Sequence, residues 1–305
     1  MKRILTTHFV LVFAAAAAAI AAPTDFTLKE AGGERTFSLT QAKGKYVALH
    51  FLLKTDCPLC LQQVQTYTAK ASALPNVEQV FIKPDTDEAI VSWAKGIAVN
   101  GGAAAPPIYR DPDAALADAF GIPNGYEFHG ETVHYPALVL IGPDGKEAFR
   151  YVGKGTMDRF PFDKLVAKMS ELKRQAAAAH YNLDKNKLAL QGYDAVSYFN
   201  GGPVEGSKDF AATFAGATYY FANAKDRDAF LASPDTYLPA YGGWCATAMA
   251  LGKKVEISPE NYKITDGRLF LFYKNFISNA ISDWNADEPK NTAAADTNWH
   301  GLSGE

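Results

Sequence analysis

Two cysteines, Cys57 and Cys60, bracket Pro58 and Leu59 in the stretch Lys54-Thr55-Asp56-Cys57-Pro58-Leu59-Cys60. At this spacing the sulfurs can close a disulfide, and one can displace a partner that the other has captured. The surrounding pattern sharpens that chemistry. Tyr46 to Leu53 (YVALHFLL) is a near-continuous apolar run of strand length, and a helical pattern follows Pro58 through Tyr67. Cys57 therefore falls where a strand hands over to a helix, with Pro58 at the first helical position. A sulfur there can accept amide hydrogens that the first turn leaves unpaired, and the positive end of the helix dipole favours thiolate over thiol. Cys57 is the expected nucleophile and Cys60 the expected resolving thiol, with Asp56 opposing a second negative charge beside it. A structural disulfide would stabilise little across so short a loop. Half a zinc site would need a second CxxC or a His pair at ligand spacing, and the sequence has neither.

The elements that position this pair extend over a chain of 305 residues, a length that favours two domains or one large one. With 48% apolar, 21% charged and 12% aromatic residues the composition is globular. At the N-terminus, Lys2 and Arg3 precede an uncharged alanine-rich run from Phe9 to Ala22 that closes on Ala19-Ile20-Ala21, the pattern of a secretory signal over residues 1–22. The run is short of the ~20 residues that span a bilayer, and no later stretch is apolar enough to do so. The expected mature product is periplasmic or secreted, with no stable membrane insertion after cleavage. Losing Lys2 and Arg3 takes the formal charge from −3 to −5, and no other Lys/Arg block exists, so nucleic acid is excluded as a partner. All three cysteines lie in the exported part, where disulfides form. One close pair plus an isolated Cys245 suggests local redox or metal chemistry, not a disulfide framework.

From Thr36 to Val152 strand and helix signals alternate. Val77 to Ile82 is a second strand; Ile90, Trp93, Ala94 and Ile97 repeat at helical spacing after Asp85-Thr86. Asp111 and Pro112 open a helix that Gly121 stops. Pro136 to Ile141 and Glu147 to Val152 flank Gly142-Pro143-Asp144-Gly145 as a hairpin. These make an α/β half with a covered, mixed sheet. Phe162, Leu165, Val166, Met169 and Leu172 form one helical face that dissolves into Arg174-Gln175 and four alanines, read as a linker over residues 175–181. Beyond it, Asp194 to Phe199 and Ala217 to Phe221 are strand-like, Asn223 caps a helix through Leu231 that Pro234 ends, Trp244 to Leu251 is a short helix, and Asp266-Gly267 turns a hairpin between Tyr262 and Tyr273. This half reads as a small α+β domain, with residues 286–305 as a C-terminal tail.

Over residues 25–170 the chain resembles the thioredoxin-like superfamily, in the redoxin branch shared by alkyl hydroperoxide reductase-type peroxiredoxins and exported thioredoxin-like reductases. The resemblance is carried by DFTLKEAGGERTFSLTQAKGKYVALHFLLKTDCPLC, DAALADAFGI and VHYPALVLIGPDGKEAFRYVG. It implies a thioredoxin-like fold over residues 23–174, with Pro136 in the place of the family's cis-proline and Tyr135 and Pro136 forming the backbone edge against which a partner disulfide lies. Peroxiredoxins carry a Thr three residues before the peroxidatic Cys. Here Lys54 stands there and Thr55 is displaced by one, which makes peroxidase chemistry doubtful and favours dithiol-disulfide exchange with protein partners. Arg150 reads as an exposed strand arginine in preference to the family's anion-stabilising one.

The segment LALQGYDAVSYFNGGPVEGSKDFAATFAGATYYFANAKDRDAFLASPDTYLPAYGGWCA, running on to the hairpin, looks like a YHS domain over residues 182–285. Many YHS domains carry cysteines where this chain has Ala222 and Asp226, so a metal role does not carry over. Cys245 reads as a buried thiol behaving as a small hydrophobe. His134 resembles in position the ligand histidine of Sco-type copper chaperones, which bind copper through two cysteines and a histidine. This chain has CxxC where they have CxxxC. The expected function is thus an extracytoplasmic thiol-disulfide oxidoreductase with catalytic Cys57, Cys60, Pro136 and Tyr135 and no organic cofactor. The alternatives are a copper carrier using Cys57, Cys60 and His134, a peroxiredoxin-like peroxidase, or an idle scaffold.

Overall fold

The computed structural model describes residues 23–54, 56–97, 105–128 and 131–304, so the expected secretory signal over residues 1–22 lies outside the described residues. No helix among the described residues is long and apolar enough to cross a membrane. The chain divides into two compact units between Val166 and Ala167.

In the first unit, β1 (Thr27–Glu30), β2 (Thr36–Ser38), β3 (Tyr46–Phe51), β4 (Val77–Lys83), β5 (Ile108–Arg110), β8 (Ala137–Ile141) and β9 (Glu147–Val152) form one sheet in the order β2-β1-β5-β4-β3-β8-β9. β3 runs parallel to β4 and antiparallel to β8, so the sheet is mixed. Every residue of β3 after Tyr46 is buried, which explains its unbroken apolar run. Val47, Leu49 and Phe51 share one cluster with Val80, Ile82 and Val139. His50, on the alternate face, meets the ring of Tyr67 from α1 (Pro58–Ala69), which packs across that side.

Two further α-helices, α2 (Asp87–Ala94) and α3 (Ala115–Ala119), belong to this unit, and α4 (Phe162–Ala178) begins in it and continues past Val166. The expected hairpin across Gly142-Pro143-Asp144-Gly145 is present, with Gly145 at φ 79° and its N–H donating to Gly142 O. The helix expected at Pro112 starts later. Asp113 and Ala114 both adopt left-handed backbone (φ 55° and 56°), so α3 opens at Ala115 and the Asp111 carboxylate reaches over them to accept from Leu116 N and Ala117 N, at 2.8 and 3.0 Å. A hairpin of β6 (Asn124–Phe128) and β7 (Glu131–His134) precedes β8 and carries no strong apolar alternation in the sequence.

The second unit holds two hairpins, β10 (Ser207–Phe214) with β11 (Ala217–Phe221) and β12 (Ser258–Thr265) with β13 (Arg268–Phe272). The second turns at Asp266 and Gly267 (φ 51° and 73°), as the Asp-Gly pair predicts. Around them lie α5 (Ala224–Ala232), capped by Asn223, α6 (Pro234–Tyr237), α7 (Ala246–Ala250), α8 (Ala280–Ala286) and α9 (Glu288–Ser303).

Three expectations need correction here, and one needs an addition. Residues 194–199 are not a strand: Asp194 is buried, and its carboxylate accepts from Val196 N, Ser197 N and Ala222 N, folding a 3-10 turn over Ser197–Phe199. Pro234 follows the end of α5 as expected, and it also opens α6. Residues 175–181 are not a loose linker: alanine is the best helix former, so α4 continues to Ala178, and the next turn is fixed by Trp244 Nε1–H donating to His180 O at 2.7 Å. Residues 286–305 are not a tail. Most of them form α9, whose Ala295 and Trp299 are buried in a cluster with Phe270, Phe272 and Trp284, while Asn298 Nδ2 donates to Met249 O and Ala250 O at the end of α7.

Trp299→Ala should therefore destabilise the second unit by ~3–5 kcal/mol. Chemical denaturation monitored by near-ultraviolet circular dichroism checks this; an unchanged midpoint would make α9 dispensable to the core.

Candidate functional site

Cys57 is the N-cap residue of α1, with extended backbone (φ −127°, ψ 93°), and Pro58 stands in the first turn. Its Sγ accepts from Cys60 N–H at 3.1 Å, the bond that the strand-to-helix position predicts. The two cysteines are joined in a disulfide, with Cα atoms 5.2 Å apart. Cys60 is fully enclosed (0% exposed), whereas Cys57 keeps 6% of its surface open. An incoming sulfur thus meets Cys57 first.

Sequence reasoning missed Arg159. Its Nη2 lies 3.5 Å from Cys57 Sγ and 3.4 Å from Cys60 Sγ. A guanidinium at that distance favours negative charge on sulfur. The loop between β9 and α4 holds it there. Gly153 N donates to Pro136 O at 2.8 Å, and a Cβ on Gly153 would come within 2.5 Å of Asp158 O and 2.9 Å of Pro136 Cγ, so only glycine permits this closure. The Asp158 carboxylate accepts from Tyr151 OH at 2.6 Å and Lys154 N at 2.9 Å, and Arg159 Nη1 donates to Thr156 O and Asp158 O. Nothing in the string Lys154-Gly-Thr-Met-Asp-Arg-Phe announces this, because the contact joins residues 99 and 102 positions apart.

The other sequence candidates are placed differently. The Tyr135–Pro136 peptide is trans, since no cis peptide occurs among the described residues. The chain runs directly from β7 into β8 and Tyr135 N donates to Pro123 O, holding the extended backbone that a residue before proline prefers. Tyr135 O accepts from His134 Nδ1–H at 2.8 Å, so both backbone groups of Tyr135 are engaged within the unit. Pro136 instead forms part of the seat of the Arg159 loop. His134 is buried, and desolvation holds its imidazole below the usual histidine range against the opposing pull of Asp111 and Asp118. Among the described residues no three His, Cys, Asp or Glu side chains form a group that could hold a metal, and the sulfurs of Cys57 and Cys60 are bonded to each other. Arg150 is turned away: its Nε and Nη2 bond Glu147 and its Nη1 donates to Phe120 O at 2.6 Å.

Two buried polar groups brace the elements that carry the cysteines. Lys83 Nζ donates to Leu53 O at 2.6 Å, pairs with Asp85 at 3.0 Å and lies over the Trp93 ring, fixing Leu53, two residues past the end of β3 and four before Cys57. Beneath α1, His50 Nε2–H donates to Gln79 Oε1 at 2.8 Å while Nδ1 accepts from Gln63 Nε2 at 3.2 Å. Burial pushes His50 down to about 4. Between pH 6.5 and 4 the unfolded chain takes up a proton there that the folded chain refuses, so stability falls as pH falls, by roughly 3 kcal/mol over that window. His50→Phe should lose this part of the acid slope; denaturation midpoints from pH 7 to 4 for both proteins measure it, and parallel slopes would sink the assignment.

Residues 20–148 match the model of the AhpC/TSA family, and this stretch holds the disulfide-linked Cys57 and Cys60. No curated protein matches the chain. Among solved structures, the reduced 2-Cys peroxiredoxin of Plasmodium vivax is 20% identical, over 50% of this chain and 94% of that one, with a TM-score of 0.42. The bacterioferritin comigratory protein of Xanthomonas campestris is 15% identical over 48% and 90%, with a TM-score of 0.39. A yeast mitochondrial 1-Cys peroxiredoxin is 16% identical over 50% and 74%, with a TM-score of 0.42. The family match gives no support to setting peroxidase chemistry aside.

Proposed function

We propose that the protein is an extracytoplasmic thiol-disulfide oxidoreductase whose first unit carries the chemistry and whose second, YHS-like unit is accessory. The observation that carries this reading is the Cys57–Cys60 disulfide at the start of α1 with Arg159 against both sulfurs. In the reduced protein the Cys57 thiolate attacks one sulfur of a partner disulfide, forming a mixed disulfide and releasing the other partner sulfur as a thiolate that takes up a proton. Cys60 then gives up its proton and attacks Cys57 Sγ, closing the intramolecular disulfide and expelling the second partner thiolate. Two electrons and two protons pass to the partner. No organic cofactor takes part. The extracytoplasmic assignment rests on Lys2-Arg3, the apolar run and Ala19-Ile20-Ala21.

The AhpC/TSA match favours a second reading, a thiol peroxidase. There the Cys57 thiolate takes the terminal oxygen of a hydroperoxide, releasing an alkoxide that becomes the alcohol, and Cys60 condenses with the resulting sulfenic acid to give the same disulfide and water.

On the exchange reading, Cys57→Ser abolishes reduction of a disulfide substrate, and Cys60→Ser traps a mixed disulfide on Cys57, read by mass spectrometry. An adduct on Cys60 instead would reverse the roles. Arg159→Ala should slow alkylation of Cys57 by iodoacetamide at pH 7 by about tenfold, the equivalent of one unit of proton affinity at the sulfur. Rapid consumption of an organic hydroperoxide by the reduced protein, with disulfides left intact, would favour the peroxidase reading.

A further inference from the structure

The turn between β13 and α8 holds Phe276 and Ile277 in solvent, at relative exposures of 110% and 96%. Among the described residues no other large apolar side chain is so open; Met157 follows at 77%. Single exposed apolar residues are ordinary, whereas two neighbours presented together mark a contact surface.

The presentation is fixed by hydrogen bonds. Asn275 N donates to Ser278 O at 2.9 Å, and Asn275 Oδ1 accepts from Ile277 N and Ser278 N at 2.9 and 2.7 Å. Asn275 Nδ2 donates to Tyr273 OH at 2.8 Å. At the base, Ser258 Oγ accepts from Lys274 N and donates to Lys274 O, while Asn261 Nδ2 donates to Asn279 Oδ1 at 2.9 Å. Ser258 and Asn261 belong to β12, so the root of the turn is tied to the hairpin. The two side chains cannot fold inward without breaking these bonds.

Surface area and backbone chemistry select a lipid surface over a protein. Phe276 and Ile277 together offer roughly 300–400 Å². The patch ends there, because Lys274, Asn275 and Ser278 around it are exposed and polar. A specific protein interface takes about 800 Å² from each partner, so this tip alone holds neither a second copy nor another protein. A bilayer closes around a small apolar projection without a matching surface. It does require that backbone groups carried into it be satisfied internally. The N–H groups of Asn275, Ile277 and Ser278 meet that condition. Lys274, beside the tip, supplies a cation for headgroup phosphates.

We propose that this turn is a peripheral lipid contact: Phe276 and Ile277 enter the interfacial layer of a bilayer and hold the second unit reversibly at its surface. The contact is no span, since two side chains reach only the headgroup and upper acyl region. It gives the accessory unit a role of its own, whichever reaction the first unit performs. Apolar burial drives the binding, because the net negative charge of the chain opposes anionic lipid.

The test uses the full oxidised chain with Ser278→Cys carrying an environment-sensitive fluorophore. Cys57 and Cys60 are bonded to each other and Cys245 is buried, so the added thiol takes the label. The probes are vesicles of phosphatidylcholine, alone or mixed with phosphatidylglycerol. Expected is a blue shift on titration with either vesicle, at a half-saturating lipid concentration that changes less than about twofold when salt rises about tenfold. Phe276→Ser combined with Ile277→Ser should raise that concentration at least about tenfold, and Phe276→Leu should stay within about threefold of the parent. Every variant carries the same N-terminal apolar run, so the differences report the turn. No blue shift on any vesicle, or a shift that the double substitution leaves unchanged, would overturn the proposal. So would binding confined to phosphatidylglycerol and abolished by salt. A monomer-to-dimer change without lipid, lost in the double variant, would make a second copy the occupant instead.

Discussion

The site depends on one hydrogen bond at the start of α1, from Cys60 N–H to Cys57 Sγ. The first turn of a helix has N–H groups with no partner further along the chain. When the capping atom is sulfur, that deficit becomes a preference for negative charge on the sulfur. Everything nearby serves to keep the strand-to-helix transition where the bond can form. β3 is central in its sheet, with neighbours in opposite directions, so its carboxyl end cannot shift without breaking the register with both β4 and β8. Pro58 supplies a helical φ without wasting a donor.

The polar groups buried around the site act as braces, and their energetics follow from low dielectric surroundings. Lys83 is almost fully enclosed, and desolvation holds its ammonium below the usual lysine range, with Asp85 and Asp56 opposing. Removing Asp85 alone would leave a buried charge without its carboxylate, a change that typically costs 3–5 kcal/mol. The Lys83–Asp85 pair is therefore better understood as holding the Leu53 carbonyl in place than as adding stability. His50 is the neutral counterpart. It stacks on Phe81, contacts Tyr67 edge-on and uses both ring nitrogens, so it ties α1 to β3 without a charge.

What the sequence made legible was local. Period and punctuation located β3, β4, α2 and the β8–β9 hairpin, because unbroken apolar runs, caps and Gly-containing turns are short-range signals. The N-cap place of Cys57 followed from the same signals. What stayed hidden depends on long-range contact or on cancelling signals. Arg159 reaches the sulfurs only because Gly153 and Asp158 fold its loop back onto Pro136, a closure with no periodicity. α9 was hidden by its composition: Asn, Thr and Asp dilute a sequence whose buried positions are Ala295 and Trp299. Asp194 inverted a strand pattern into a turn because one carboxylate can satisfy three backbone amides at once, something an apolar count cannot register.

The second unit provides a contrast that isolates what makes a cysteine reactive. Cys245 also stands at a helix N-cap, before α7, yet its sulfur makes no capping hydrogen bond. It is 1% exposed in a cluster that includes Leu269, Leu271 and Phe230, and its backbone is pinned by Cys245 N donating to Val255 O. α7 has only five residues, so its dipole is short. A helix start is therefore insufficient by itself. Cys57 differs in having the amide of Cys60 on its sulfur, a guanidinium at 3.5 Å and a second sulfur bonded to it. Those three features separate a sulfur that can exchange from one that merely fills space.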